Sequence, residues 1–249
     1  MQRDLDLMGK INLEDFFSYY TAEANQREGV AMLAQTMSAE LQTDDSAWVK
    51  AYRGQLPQQQ EELDLGGETK LANPIECPYD SQLDNPGTEG WRECFSSSCA
   101  MAAMKWGVIK HQNEYHERRP KYGDSTDASA QIRTLESFGL KARFVQVGSV
   151  EKLKAQIDRG RVAPVGFLHH GTPQNPSGGG HYILAIGYTD THLIAHDPYG
   201  ELDLLTGNYI KTGGTYGKSI HYSWKNWAPR WSVSNDHDGW GLDIWLPGK

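Results

Sequence analysis

From Ala142 onward the chain falls into short apolar runs separated by Gly-, Pro- and Asp-rich breaks. Ala142–Val147, Ala163–Leu168, Tyr182–Tyr188 and His192–His196 are rich in aliphatic and aromatic residues, and each predicts a strand. Apolar positions three and four apart predict helices from Ser96 to about Ile109, over Ala128–Phe138 and over Val150–Asp158. Residues 12–50 also read as helical. Asn12-Leu-Glu-Asp can start a helix, and Phe16, Phe17, Tyr19 and Tyr20 give it an apolar-aromatic stripe. Gln26 to Leu41 places Val30, Met32, Leu33, Met37 and Leu41 at mixed three- and four-residue intervals. Asp44-Asp-Ser46 can cap a third short helix with Trp48, Val49 and Tyr52.

Between these two textures lies Gln55-Leu-Pro-Gln-Gln-Gln-Glu-Glu-Leu-Asp-Leu-Gly-Gly-Glu68, a polar, proline-bearing stretch with a glycine pair. It reads as a linker and sets a boundary near residue 70. The chain then divides into residues 1–70, helices and linker, and residues 71–249. Helices first and strands later fit an α+β architecture better than alternating βαβ units. The N-terminal helical region fits either a docking module or a helical cap on the strand-bearing region. A chain of 249 residues can bury a sizeable core.

The formal net charge of −8 argues against nucleic-acid binding, for which a basic patch is the usual footprint. The densest basic cluster, His116-Glu-Arg-Arg-Pro-Lys121, contains an acid and a proline and reads as a solvated loop. No apolar run approaches the roughly 18 residues of a membrane-spanning helix. Met1-Gln-Arg-Asp-Leu-Asp6 is too charged for a secretory signal, so work outside a cytoplasm would need another route of delivery. Cys77, Cys94 and Cys99 are too few for a disulfide framework, and an odd count leaves at least one free thiol. Cys99 reads as a small buried hydrophobe; a Cys77–Cys99 bridge is the less favoured alternative.

Cys94 is different. Ser96-Ser-Ser98 carries hydroxyls typical of a helix cap, followed by small and straight-chain residues. A thiol just before or inside that first turn meets the positive end of the helix dipole, which favours a nucleophilic thiolate. His181 follows Gly178-Gly-Gly180 and opens the apolar run Tyr182–Tyr188, so it stands at the mouth of a strand. His169-His170 and His196 are its rivals. If the two neighbouring strands form a hairpin with Tyr188 opposite His192, His181 opposes Tyr199. Asp197 then lies diagonally across on the same face. A two-residue turn would throw the two side chains to opposite faces, so this pairing needs an odd-length turn or a bulge. Thiol, imidazole and carboxylate in this order suit nucleophilic catalysis. Gln82, twelve residues before Cys94, is the side-chain candidate for an oxyanion donor, with the Cys94 backbone N–H as the second.

The ordered set Tyr79-Asp-Ser-Gln82, Cys94-x-x-x-Ser98-x-Ala100-Met101, Gly179-Gly-His-Tyr182 and Asp197-Pro-Tyr-Gly200 resembles the C39-like branch of papain-fold cysteine peptidases over roughly residues 73–205. The resemblance implies a Cys-bearing helix packed on an antiparallel sheet that carries His and Asp, within a catalytic domain at 71–249. It implies Cys94 as nucleophile, His181 as base, Asp197 as the orienting residue and Gln82 as oxyanion donor. Pro86-Gly-Thr-Glu-Gly-Trp91 makes the Gln-to-Cys loop longer than papain's.

The ending Gly217–Trp231 with Gly239-Trp-Gly241, and the Phe16–Tyr20 segment, resemble phage-encoded peptidases of this branch. That layer implies a lysin or tail-associated enzyme, with peptidoglycan or another peptide as substrate. It further implies phage tail or baseplate proteins as partners of residues 1–70, and a virion or host-cytoplasm location. The same residues also allow acyl transfer of the transglutaminase kind, or a non-enzymatic tail or baseplate component that keeps the fold. No metal or organic cofactor is required. Asp236-His-Asp238 cannot easily converge on one ion. Five of the eight tryptophans lie between Trp224 and Trp245, and a core-covering tail is favoured over a glycan-contacting surface.

Overall fold

The structure is a computed structural model and describes residues 72–248 apart from Thr88; the expected N-terminal helices and linker lie outside the described residues. The described elements begin with α1 (Cys94–Lys105), α2 (Gln112–Arg118), α3 (Ala128–Ser137), β1 (Lys141–Gly148), α4 (Val150–Asp158) and β2 (Ala163–Phe167). A short hairpin of β3 (His170–Thr172) and β4 (Asn175–Ser177) leads into the longer pair β5 (His181–Tyr188) and β6 (His192–His196). A further hairpin, β7 (Gly200–Asp203) and β8 (Asn208–Thr212), precedes β9 (Ile220–Ser223), α5 (Trp224–Trp231) and β10 (Gly239–Trp245).

Six strands form one antiparallel sheet in the order β1-β10-β2-β5-β6-β9. Every residue of β2 is buried, as is every residue of β5 except the half-buried Tyr188. Burial on both faces explains why these strands read as continuous apolar runs and not as alternation. α1 packs on β5 and β2, and α5 packs on β2 and β9. This is the α+β arrangement the resemblance implied, with the cysteine-bearing helix laid on an antiparallel sheet.

α1 starts two residues earlier than the serines suggested and ends at Lys105 rather than near Ile109. Gly107, at φ +71, supplies the left-handed residue that stops it. Its serines are not caps. Ser96 Oγ accepts from Gln131 Nε2 (2.9 Å), Ser97 Oγ accepts from Asn85 Nδ2 (3.0 Å), and Ser98 Oγ donates to the Tyr182 carbonyl (3.3 Å). All three are fully buried, so each hydroxyl joins the helix to a neighbour at no cost in unpaired polar atoms. Buried Ala100, Ala102 and Ala103 let the helix lie close to its neighbours, while Phe95 stacks on Tyr182 with centroids 3.7 Å apart.

Two expectations change beyond the helix ends. His116-Glu-Arg-Arg-Pro-Lys121 is the end of α2 and a 3₁₀ turn, not a solvated loop: His116 is buried and Arg119 pairs with Glu93 at 3.2 Å. The β3–β4 and β7–β8 hairpins and α5 were not legible from the pattern. Trp227 and Trp231 are buried and stacked at 5.1 Å, and Trp231 Nε1 donates to the Trp240 carbonyl (2.9 Å). These C-terminal tryptophans therefore build core, as expected of a core-covering tail. No helix among the described residues is long and apolar enough to cross a membrane, and no described His, Cys, Asp or Glu cluster could hold a metal ion.

Candidate active site

The turn joining β5 and β6 does not have the expected odd length. Tyr188 pairs with Leu193 and Gly187 with Ile194, one position away from the Tyr188–His192 pairing. A bulge between Ala185 and Gly187 then takes up the extra residue. Beyond it Ala185 pairs with Ala195 and Leu184 with His196, the register in which His181 and Asp197 share a face.

The two side chains meet: His181 Nε2 lies 2.7 Å from Asp197 Oδ1. Asp197 is fully buried and its carboxylate is well supplied with donors. Oδ1 accepts from the backbone N–H groups of Tyr199 (3.0 Å) and Gly200 (3.4 Å), and Oδ2 accepts from the Tyr222 hydroxyl (2.9 Å). Its carbonyl accepts from the Tyr79 hydroxyl (3.1 Å). Gly217 closes the same region, since any side chain there would overlap the Asp197 carbonyl. Burial alone would depress the His181 imidazole, but the Asp197 carboxylate and then the Cys94 sulfur outweigh it and hold its pKa well above the ordinary histidine value.

With Nε2 engaged by Asp197, Nδ1 is the nitrogen left for the neighbouring Cys94. Cys94 is the first residue of α1 and is half-buried, whereas Cys99 is fully buried; all three cysteines are free. Burial pushes the Cys77 thiol up to about 12 and the Cys99 thiol higher still. Glu93, the residue before Cys94, is buried. It pairs with Arg119 (3.2 Å) and His116 (3.4 Å) and accepts from Asn85 Nδ2 (2.8 Å). The Glu93 charge is thereby offset by the Arg119 guanidinium.

Gln82 is buried in a 3₁₀ turn, Gln82–Asp84, whose first N–H donates to the Pro198 carbonyl (2.9 Å), so it is stitched to the Asp197 segment. Its side-chain Nε2 donates to the Gly90 carbonyl (2.6 Å), and its Oε1 is buried without a partner. One amide proton is thus spent on the 86–91 loop, leaving one for other use.

The rival histidines are placed elsewhere. His196 Nδ1 accepts from the Ser219 N–H and Nε2 faces the Cys77 carbonyl, each at 3.0 Å. Both nitrogens serve the backbone, and burial lowers its pKa. His169 does line the His181 side, with ring centroids 5.7 Å apart. Burial, followed by the His181, His170 and Arg230 charges, drives its pKa to about 2 and keeps it neutral. Tyr222 and Tyr209 escaped the sequence reading, and so did Arg230. Tyr222 carries the only carboxylate-directed hydroxyl in the site among the described residues, but nothing in Ser219-Ile-His-Tyr222 marks it as such.

The model of the Peptidase C39 like family matches residues 74–205. No curated protein matches the chain. Similar solved structures include the double glycine motif protease from an AMS/PCAT transporter in complex with the leader peptide. It is 12% identical, covers 68% of this chain and 91% of that one, and has a TM-score of 0.41. A Bacillus anthracis chain assigned as a C39-like peptidase is 12% identical over 71% of this chain and 98% of that one, at TM-score 0.49. The peptidase domain of Streptococcus ComA, a bi-functional ABC transporter, is 18% identical over 65% and 95%, at TM-score 0.37.

Proposed function

Because the chain belongs to the Peptidase C39 like family, we propose that it is a cysteine peptidase in which Cys94, His181 and Asp197 act as the catalytic triad. The observation that carries this reading is the buried 2.7 Å His181–Asp197 contact beside a half-buried thiol at a helix start. Cys94 Sγ attacks the scissile carbonyl carbon while His181 Nδ1 takes the thiol proton. The C–N bond of the tetrahedral intermediate then breaks, and His181 returns the proton to the departing amine. Water, deprotonated by the same imidazole, attacks the thioester, releasing the acid and regenerating the thiol. Asp197 fixes the ring and stabilises the imidazolium throughout. The Cys94 backbone N–H, unclaimed by the helix ladder at its first residue, and the remaining Gln82 amide proton supply the oxyanion donors.

The substrate class we assign is the peptide part of peptidoglycan, cross-link or stem, cut by a phage-encoded lysin or tail-associated enzyme. The C-terminal and Phe16–Tyr20 segments support that assignment by their resemblance to such proteins. Mass spectrometry of fragments released from purified peptidoglycan tests both layers. New amino and carboxyl termini are expected with the wild type and none with Cys94→Ala. Full activity in Cys94→Ala would end the triad assignment, and cleavage of peptides but never of peptidoglycan would end the substrate assignment.

A further inference from the structure

Arg230 is fully buried on α5, and among the described residues it forms no ion pair with a carboxylate. Backbone carbonyls take its charge instead. Nη1 donates to Leu168 (3.1 Å) and His170 (2.9 Å), and Nη2 donates to Gly171 (2.7 Å) and to Leu204. Its own carbonyl accepts from the Leu168 N–H (2.9 Å). The acceptors lie on two stretches distant in sequence, residues 168–171 running from the end of β2 into β3 and Leu204 just after β7, and one guanidinium brings them to a point.

A second contact joins the same two hairpins. His170 Nδ1 lies 3.3 Å from the Gly207 carbonyl, and Gly207, at φ +73, packs so closely that a side chain there would meet the Gly171 nitrogen at 2.6 Å. The β7–β8 turn is thus seated directly on β3. These segments carry rings that surround His181. His169 lies at 5.7 Å, Tyr209 at 5.9 Å and Tyr199 at 6.5 Å between centroids. Phe167, at the end of β2, has its ring centroid 5.7 Å from that of His181.

We propose that Arg230 is a positioning residue that pins the β3–β4 and β7–β8 hairpins into one body, the wall of the substrate cleft on the His181 side. The proposal rests on the cysteine-peptidase reading for its catalytic consequence, but not for its mechanical one. A planar fork with five donors can reach four carbonyls on two separate segments; a lysine, a point charge with three donors, cannot span them. The tryptophan-rich tail gains a purpose, because Trp227 and Trp231 anchor the helix that delivers the pin.

Hydrogen exchange on the full chain, wild type and Arg230→Lys, tests the mechanical part. In the wild type the amides of residues 170–177 and 200–212 should open together. In Arg230→Lys both sets should exchange at least tenfold faster. Kinetics on peptidoglycan fragments test the catalytic part. Arg230→Lys should raise KM about tenfold with kcat changed less than threefold, and iodoacetamide should alkylate Cys94 within twofold of the wild-type rate. Hairpins that open independently in the wild type would overturn the proposal, even if no Arg230 variant folds. So would unchanged KM in a variant whose hairpins are loosened. Cys94→Ala run alongside separates the two readings: its retained activity would remove the triad assignment and leave the exchange result standing.

Discussion

The described residues hold two buried carboxylate–histidine pairs, and only one of them neighbours a cysteine that is half-buried. Asp197 and His181 meet at 2.7 Å, with the imidazole's other nitrogen left for the half-buried thiol of Cys94. Glu93 and His116 stand 3.4 Å apart, and the far nitrogen of His116 lies 3.5 Å from Ser97 Oγ. By residue type alone the second set is a Ser-His-Glu constellation. Its hydroxyl, however, sits fully buried in α1, already accepting from Asn85. Its carboxylate is occupied by Arg119 and Asn85 as well as His116. What separates the proposed reaction centre from a structural network here is the surroundings, not the residue types. In the proposed catalytic pair the carboxylate holds one histidine together with two backbone N–H groups and a hydroxyl, and the imidazole's other nitrogen is left for the half-buried Cys94 thiol. The structural pair spends every group on packing a helix.

The sharpest way to break that comparison is to delete each histidine. His181→Ala should lower kcat/KM by at least about 10³-fold. His116→Ala should leave kcat/KM within about threefold while lowering the melting temperature by several degrees, about what a 1–2 kcal/mol loss causes in a domain of this size. Equal kinetic losses would show that the two networks are not distinct. Asp197→Asn comes next, at about 10²-fold or more in kcat/KM. Because Asp197 holds the His181 pKa up, the alkaline limb of the pH–rate profile should move to lower pH in the variant. A limb that stays in place would mean that another group sets it.

A smaller change is expected from Tyr222→Phe, which removes the hydroxyl on Asp197 Oδ2 and keeps the ring. A charged acceptor that loses one donor should cost about tenfold in kcat/KM, read from initial rates. The smallest effect belongs to the structural pair. Glu93→Gln should destabilise by about 1–3 kcal/mol at pH 7 by stranding Arg119 and His116, with hydrolysis unchanged. Although burial opposes it, the His116, Asn85 and Arg119 partners hold the Glu93 carboxyl below its ordinary 4.5. Its stabilisation is therefore fully present above about pH 4.5 and is lost as pH falls through the lowered folded value. Urea titrations at both ends of that range should show the wild type and the variant converging in acid.

The sequence disclosed those parts of the molecule whose structure is set locally. β2, β5 and β6 could be read because burial on both faces writes a continuous apolar run into each. The hairpin arithmetic reached the correct face for Asp197 by naming a bulge as one of two solutions, though it could not choose between them. His-Gly-Thr and Asn-Pro-Ser carry no strand pattern, so β3 and β4 were invisible; their order comes from Arg230, about 60 residues away. The serines of α1 misled for a related reason. A hydroxyl near a helix start looks like a cap unless one knows that Gln131, Asn85 and the Tyr182 carbonyl arrive from other elements to pair with it.

The bulge in β5 also works as an expansion joint. Its outer backbone is held by a segment that belongs to neither strand: the Ile186 carbonyl accepts from the Ile75 N–H (2.7 Å), and Tyr188 exchanges hydrogen bonds with the Asn73 side chain. A residue gained or lost in the exposed turn Thr189-Asp-Thr191 is expected to be absorbed on the turn side of that anchor, before it reaches Ala185 and Ala195. This turn is accordingly the place to graft an epitope or a fluorophore tag, in a protein whose His181–Asp197 register is otherwise set by a single residue's worth of slack.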